Sequence, residues 1–283
     1  MIQKWTNGVN KMQERKINDV LQVGRELLAK NNIDMREARL LLAEAINVSL
    51  TDLIKLNFCS DDMFAKYLIM LEKRVNDIPF AYIVGHKEFM KLDFVVNENV
   101  LIPRADTEML VEEALKYRKN KILDMCTGSG CIAISLAYYL ENKADMTAVD
   151  ISEEALNVAK QNAKKNNVDV NFIQSDLFSN VNEKYEMIVS NPPYIEREVI
   201  GNLQAEVQKE PILALDGGIS GLDFYERIIP EAKEHLNENG VLILEIGYDQ
   251  AEKVQKLMSN SGYKNIRVIK DLNDNDRVLV GEI

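Results

Sequence analysis

Apolar residues recur at helical spacing through the first part of the chain and at strand spacing through much of the rest. Val20, Leu21, Leu27 and Leu28 share one face of a helix that starts at Ile17, and Ala38, Leu41, Leu42 and Ala45 share a face after a start signal at Asp34. Leu50 to Leu56 continues the pattern with Ser49 or Thr51 as cap, and Phe64, Leu68, Leu71 and Val75 line a fourth helix from about Asp61. The spacing predicts a small helical bundle over residues 17–85 that closes near Pro79. A polar extension, residues 1–16 with a lone Trp5, precedes it.

At residue 86 the period changes. Leu92, Phe94 and Val96 alternate, Asn97-Glu98-Asn99 reads as a turn, and Val100 to Ile102 resumes, which predicts a linking hairpin over residues 86–102. Asp106 is the expected N-cap of the next helix, with Glu108 in its first turn and Arg104 just before it, facing a site. Beyond lie strand-like runs at Ile122–Met125, Met146–Val149, Val170–Gln174, Met187–Val189, Gly240–Ile246, Ile266–Ile269 and Arg277–Val280. Helical stretches at Cys131–Leu140, Ser152–Asn166, Leu222–Leu236 and Ala251–Ser259 separate most of them. Residues 103–283 are therefore expected to form an α/β domain on a Rossmann-like, seven-stranded sheet.

Composition narrows the class. With 283 residues and 46% hydrophobic content the chain has ample material for a core. No apolar run reaches bilayer length, and Met1 to Gly8 lacks the apolar stretch of a signal peptide, so the expectation is a cytoplasmic protein. Three cysteines and two histidines predict neither a structural disulfide nor a metal site. Of the 34 Lys+Arg and 45 Asp+Glu, residues 1–85 hold 12 and 11, leaving 22 and 34 for residues 86–283. That acidic second part lacks the basic stripe of an unaided duplex-DNA binder and suits a basic or ribonucleoprotein partner.

The candidate chemistry gathers at strand ends. Asp124 to Gly130 reads Asp-Met-Cys-Thr-Gly-Ser-Gly, a strand running into a turn whose Gly128 and Gly130 admit close approach of a ligand. Asp150 ends the second strand, 20 residues past Gly130, where a carboxylate reaches a ribose diol. Gly128-x-Gly130-x-x-Ala133 fits a dinucleotide fingerprint as well as a S-adenosylmethionine loop, so this segment alone leaves the cofactor open. Asp176 follows the third strand, where its carboxylate is placed to accept from an adenine amino group with Leu177 or Phe178 against the ring, although the segment alone reads as a turn aspartate.

The fourth strand stops at Asn191-Pro192-Pro193-Tyr194. Two prolines fix φ and donate nothing to a sheet, so the segment reads as a stiff loop with free carbonyls. The Asn191 side-chain oxygen and the Pro192 carbonyl are two acceptors for a planar amino group, with Tyr194 as an aromatic face beside them. The competing reading is a plain strand terminator with a core tyrosine.

Taken together, Gly85-His86-x-x-Phe89, Leu101-Ile102-Pro103-Arg104-x-Asp106-Thr107-Glu108, the Asp124 to Gly130 loop, Asn191 to Tyr194, Glu210-Pro211 with Ala214 to Gly218, Asp271-Leu272 and Asp276-Arg277 resemble the release factor glutamine methyltransferases. The resemblance runs from about Ile17 to the C-terminus. It implies a class I methyltransferase fold and methyl transfer from S-adenosylmethionine to the side-chain N5 of the Gly-Gly-Gln glutamine in peptide chain release factors. It also implies a cofactor held by Cys126, Thr127, Gly128, Ser129, Gly130, Asp150, Asp176, Leu177 and Asn191. Substrate contacts would come from Asn191, Pro192, Pro193, Tyr194, Arg104 and an aromatic placed at Phe94, with the bundle recognising the release factor. Cys126 stands where the family usually has glycine and is compatible with the loop if its φ is negative. The expected enzyme is a monomer with a protein substrate, no DNA and no membrane. The rivals are a nucleic-acid adenine N6-methyltransferase, a non-catalytic cofactor-binding module on the ribosome, and a dinucleotide dehydrogenase, which the Asn191 loop gives no role.

Overall fold

The computed structural model describes residues 14–283, so Trp5 and most of the polar extension lie outside the described residues. The chain divides into two compact units, ending and starting at Val84 and Gly85.

In the first unit, α1 (Ile17–Lys30), α2 (Glu37–Ile46), α3 (Leu50–Leu53), α4 (Asp61–Val75) and α5 (Phe80–Val84) surround a core that includes Leu28, Leu41, Leu42, Tyr67 and Leu71. The fully buried Tyr67 explains a glycine inside α1. A Cβ on Gly24 would lie 1.8 Å from the Tyr67 hydroxyl, which donates to the Ala38 carbonyl at 3.0 Å. Ser49 and Ser60 cap α3 and α4, each accepting a backbone N–H three residues on. A short pairing of β1 (Arg15–Lys16) with β2 (Phe58–Cys59), and α5 beyond Pro79, are additions to the helix pattern.

The second unit opens with a hairpin of β3 (His86–Phe89) and β4 (Leu92–Val95). Its turn is Met90-Lys91, both at positive φ, and the Asn97 turn and the run to Ile102 lie beyond it. The expected hairpin was therefore displaced toward the residues with turn chemistry. Met and Lys carry no local turn signal; their conformation is held from outside. Met90 N–H donates to Glu108 at 2.6 Å and the Tyr139 hydroxyl donates to the Met90 carbonyl at 2.7 Å. Buried Asn162 then pins the second strand, accepting from Val95 N–H and donating to the Val95 carbonyl.

The main body comprises α6 (Ala105–Tyr117), β5 (Lys121–Met125), α7 (Cys131–Tyr139), β6 (Asp145–Asp150), α8 (Glu153–Lys165), β7 (Asn171–Gln174), β8 (Tyr185–Ser190), α9 (Asp223–His235), β9 (Leu236–Glu245), α10 (Ala251–Asn260), β10 (Lys264–Lys270) and β11 (Asp276–Glu282). The seven strands lie in the order β10-β11-β9-β8-β5-β6-β7, with β11 antiparallel to both neighbours and the rest parallel. Strand residues alternate between two cores. Met187, Val189, Val241, Ile243, Val278 and Val280 face the α6, α7 and α8 side, while Ile188, Leu242, Leu244 and Leu279 face α9 and α10. The sheet is thus buried on both faces, and its open edge is the row of parallel strand C-termini.

Asp106 is not the helix cap. Arg104 occupies that position with extended backbone, and Asp106 lies in the first turn, where it pairs with Arg277 at 3.2 Å.

Candidate active site

The C-terminal ends of β5, β6, β7 and β8 converge on a cavity of about 460 Å³, a size that suits a small ligand. Cys126, Thr127, Gly128 and Ser129 form its floor, with Asp150 at one wall, Asp176 and Leu177 at another, and Asn191 and Pro193 at a third. Four strand ends that are far apart in sequence meet here because the crossovers return every strand in the same direction.

The floor is tied to the strands beside it. Thr127 N–H donates to the Val149 carbonyl at 2.9 Å, and Gly128 N–H donates to the Asp150 carboxylate at 2.8 Å. Asp150 also accepts Ser152 N–H at 3.0 Å, and burial raises its pKa against those bonds. A Cβ on Gly128 would meet nothing within 4 Å, so the space above this glycine is open to a ligand. Gly130 does not line the cavity. Its φ is +80°, and a Cβ there would meet Ile134 at 2.8 Å and Ala159 at 3.1 Å, so it permits α7 and α8 to pack beneath the loop.

Cys126 has φ +62°, not the negative value expected for it. The turn geometry is that of a glycine, and the cysteine adopts it under strain. A Cβ in left-handed backbone costs about 1 kcal/mol or more. Cys126→Gly is therefore expected to raise the urea midpoint, and Cys126→Val to lower it. Equal midpoints for all three proteins would show that the loop relaxes around the side chain.

Beneath the floor, Asp124 is fully buried. It accepts from the Thr127 hydroxyl at 2.6 Å and from Ala133 N–H at 3.2 Å, while its other oxygen has no partner. Burial pushes its pKa up to about 7 in spite of those bonds, and Glu245, fully buried at the end of β9, is likewise pushed by burial up to about 7. Both acids are raised above their unfolded values of 3.8 and 4.5. Their contribution to stability is thus complete below about pH 4 and lost as pH rises through about 7. The melting temperature is expected to fall across that window, and Asp124→Asn to make the slope shallower. An unchanged slope would show that Asp124 does not titrate there. Asp271 acts in the opposite sense: backbone and side-chain hydrogen bonds from Asn275 hold it down to about 2, so its contribution disappears only in stronger acid.

At the third wall, cavity-lining Asn191 donates from Nδ2 to the Thr107 hydroxyl at 3.2 Å, a bond that does not use its side-chain oxygen. The Pro192 carbonyl takes none of the backbone hydrogen bonds that anchor the neighbouring segment. Pro192 and Tyr194 do not line the cavity. Tyr194 packs against the α9 and α10 core, with its hydroxyl 3.5 Å from Glu245. Burial raises its pKa well beyond the usual phenol range.

The expected substrate contact at Phe94 is corrected. Phe94 is fully buried, makes an edge-to-face contact with Phe89 at 6.0 Å between centroids, and belongs to the core under α6 and α7. Its alternation with Leu92 marks a core position, not an exposed face. Arg104 does line the cavity, but its guanidinium is ion-paired with buried Glu210, which also accepts Ile102 N–H at 3.0 Å. Its charge ties the loop after Glu210 to the start of α6.

Four contributors were missed. Thr107, Phe224 and Arg227 line the cavity, Thr107 beside Asn191 and Arg227 pairing with Asp176 at 2.8 Å, while Glu245 stands behind Tyr194. The signal for Glu245 was present: an acid ending the apolar run Val241 to Leu244 at the same sheet edge.

Comparison with known proteins agrees with this geometry. Residues 104–210 match the family model described as "Methyltransferase small domain", and residues 19–85 match "PrmC N-terminal domain". A methyltransferase structure from Pyrococcus furiosus has the same fold, with TM-score 0.52, 18% identity, and coverage of 77% of this chain and 96% of that one. The release factor glutamine methyltransferase of Clostridium botulinum is 44% identical over 224 residues, covering 76% of this chain and 79% of its own. That of Thermodesulfovibrio yellowstonii is 36% identical over 266 residues, covering 90% and 95%. By that identity, sustained over both units, the chain belongs to the release factor glutamine methyltransferase family.

Proposed function

We propose that this chain transfers a methyl group from S-adenosylmethionine to the N5 side-chain amide of the glutamine in the Gly-Gly-Gln motif of peptide chain release factors. The observation that carries the reading is cavity-lining Asn191, whose Nδ2 is taken by Thr107 so that its side-chain oxygen is left for a ligand, followed in the chain by a Pro192 carbonyl that takes no backbone hydrogen bond.

The cavity suits the cofactor. Open space above Gly128 accepts an approaching ligand, Asp150 stands where a ribose diol would be bound, and Leu177 and Phe224 offer apolar surface to a base. The two cavity arginines are each matched by a carboxylate, on Glu210 and Asp176, leaving Asp150, Glu98 and Glu154 as excess negative charge toward a cationic ligand. When bound, S-adenosylmethionine supplies an electrophilic methyl on a sulfonium.

The chain's own task is to present the acceptor. An amide nitrogen is a poor nucleophile because its lone pair is delocalised into the carbonyl. Asn191 and Pro192 accept its two N–H bonds, fix the direction of the nitrogen, and stabilise the positive charge that develops on it. Pro192 and Pro193 keep those acceptors from drifting, since their φ is locked. The first unit recognises the release factor; Met35, Ile54 and Ile69 on it are more than half exposed. The reaction modifies the factors that end translation and takes place in the cytoplasm. Among the described residues, no helix is long and apolar enough to cross a membrane.

The test is transfer of labelled methyl to a purified release factor, beside a copy whose Gly-Gly-Gln glutamine is alanine and beside adenine-rich DNA. Label on the intact factor alone is the expected result. Label on DNA would replace this reading with the adenine enzyme.

A further inference from the structure

The inner face of α8 is apolar at Ala155, Leu156, Val158, Ala159 and Ala163, and is broken by Asn162, which is 0% exposed. A carboxamide buried there costs stability unless its hydrogen bonds are made. They are made, and to two segments that belong to the cavity. Asn162 Oδ1 accepts from Val95 N–H at 2.6 Å and Nδ2 donates to the Val95 carbonyl at 3.0 Å, the two bonds that a neighbouring antiparallel strand would exchange. Nδ2 also donates to the Ser129 carbonyl at 2.9 Å. One N–H and two carbonyls demand one acceptor and two donors, so a single orientation of the amide satisfies all three.

Ser129 is part of the cavity floor. Its peptide link to Gly130 is held on both sides: Gly130 N–H donates to the Thr127 carbonyl at 2.9 Å inside the loop, and the Ser129 carbonyl is held from outside it by Asn162. Gly130 tolerates φ of either sign, so that residue does not itself fix the peptide before it. From Val95 the chain runs on into the segment 98–104, where Glu98, Asn99, Val100, Leu101, Pro103 and Arg104 line the same cavity. Asn162 thus joins the floor to this wall from behind. Lys165 and Asn166, one turn further along α8, also tie the hairpin, but both bond Asp93 and leave the floor untouched.

We propose that Asn162 is a positioning residue for the cofactor: it sets the spacing between the Ser129 floor and the 98–104 wall, and with it the fit of the cavity around S-adenosylmethionine. The identity of the ligand rests on the methyl-transfer reading, whereas the bridge itself rests on the three hydrogen bonds. Asn162→Leu removes all three at similar volume, and Asn162→Asp keeps an acceptor for Val95 N–H but loses both donors. Asn166→Ala is the control, since it cuts the bond to the Asp93 carbonyl and none to the floor. Each is measured for its dissociation constant with S-adenosylhomocysteine, for kcat and cofactor KM in labelled methyl transfer to a purified release factor, and for its thermal melt.

Both Asn162 variants are expected to weaken S-adenosylhomocysteine binding and raise cofactor KM by about tenfold or more, because a cavity no longer held to shape must be ordered by its ligand. Their kcat at saturating cofactor should stay within about threefold of the parent, since Asn191 stands on another wall. Asn166→Ala should bind within about twofold of the parent. A merely destabilised protein gives the opposite split, a smaller active fraction and lower apparent kcat at unchanged KM. That split, or parental binding by Asn162→Leu, overturns the proposal.

A second readout needs no variant. Backbone amide exchange at Val95 in the parent is expected to slow by about tenfold or more in saturating S-adenosylhomocysteine, because a ligand seated against floor and wall together holds the bridge closed. Unchanged exchange at Val95 overturns the coupling. Weakened binding in the Asn162 variants of a parent that transfers no methyl to the release factor removes the functional reading and leaves the bridge standing.

Discussion

Asn191→Ala is expected to lower kcat for release factor methylation by about a hundredfold, or about 2.7 kcal/mol of transition-state stabilisation, with little change in S-adenosylmethionine affinity. The loss is large because the acceptor amide has so little nucleophilicity of its own. The Asn191 oxygen is one of only two acceptors assigned to the amino group, and charge develops on nitrogen only as the methyl arrives. The contact therefore strengthens toward the transition state, and its removal appears in kcat. Cofactor affinity is spared because the Cys126 to Ser129 floor, Asp150 and Asp176 remain in place. Asn191→Asp sharpens the point. It keeps an oxygen but loses the Nδ2–H that Thr107 accepts, and brings a negative charge to a buried contact. It is expected to be as damaging as alanine. Methylation at the parental rate by either variant would remove Asn191 from the mechanism.

The main elements of this chain were legible because its hydrophobic periods are clean. Helices of the bundle and all seven strands of the sheet follow from apolar spacing, since each strand places alternate residues in two separate cores. Legibility failed where tertiary contacts override local chemistry. Met90-Lys91 forms a left-handed turn without a turn residue because Glu108 and Tyr139 hold its backbone. Cys126 adopts a glycine conformation because the tie of Thr127 to the neighbouring strand fixes the loop beside it. In the site, residues at strand ends were found and residues behind them were not. Asp150 and Asn191 announce themselves by ending an apolar run, whereas Thr107 sits in a helix whose sequence explains it without any site. Phe94 shows the converse error: an aromatic on an alternating strand carries no mark that tells a core face from a substrate face.

Gly217→Ala is expected to cost activity on a similar scale without touching any group that meets the substrate. A Cβ at Gly217 would lie 2.7 Å from the Tyr194 Cα, 2.8 Å from the Tyr194 carbonyl carbon and 2.9 Å from the Pro193 carbonyl oxygen. All three are backbone atoms of the loop that carries Asn191, so no side chain can swing aside to relieve the contact. The two segments are also stitched together, Gly217 N–H to the Ile195 carbonyl at 2.8 Å and Ile195 N–H to the Leu215 carbonyl at 3.0 Å, which prevents them from simply separating. Because the prolines lock φ, the push is transmitted along the loop to the acceptors. A displacement of about 1 Å at a positioned group costs about a hundredfold in rate. The loop from Glu210 to Gly218 is, on this view, the backing that sets the depth of Asn191 in the cavity. Gly201→Ala is the matched control, since a Cβ there meets nothing within 4 Å, and it should retain parental activity. Parental kcat in Gly217→Ala would mean that the Asn-Pro-Pro-Tyr segment keeps its place by its own stiffness alone.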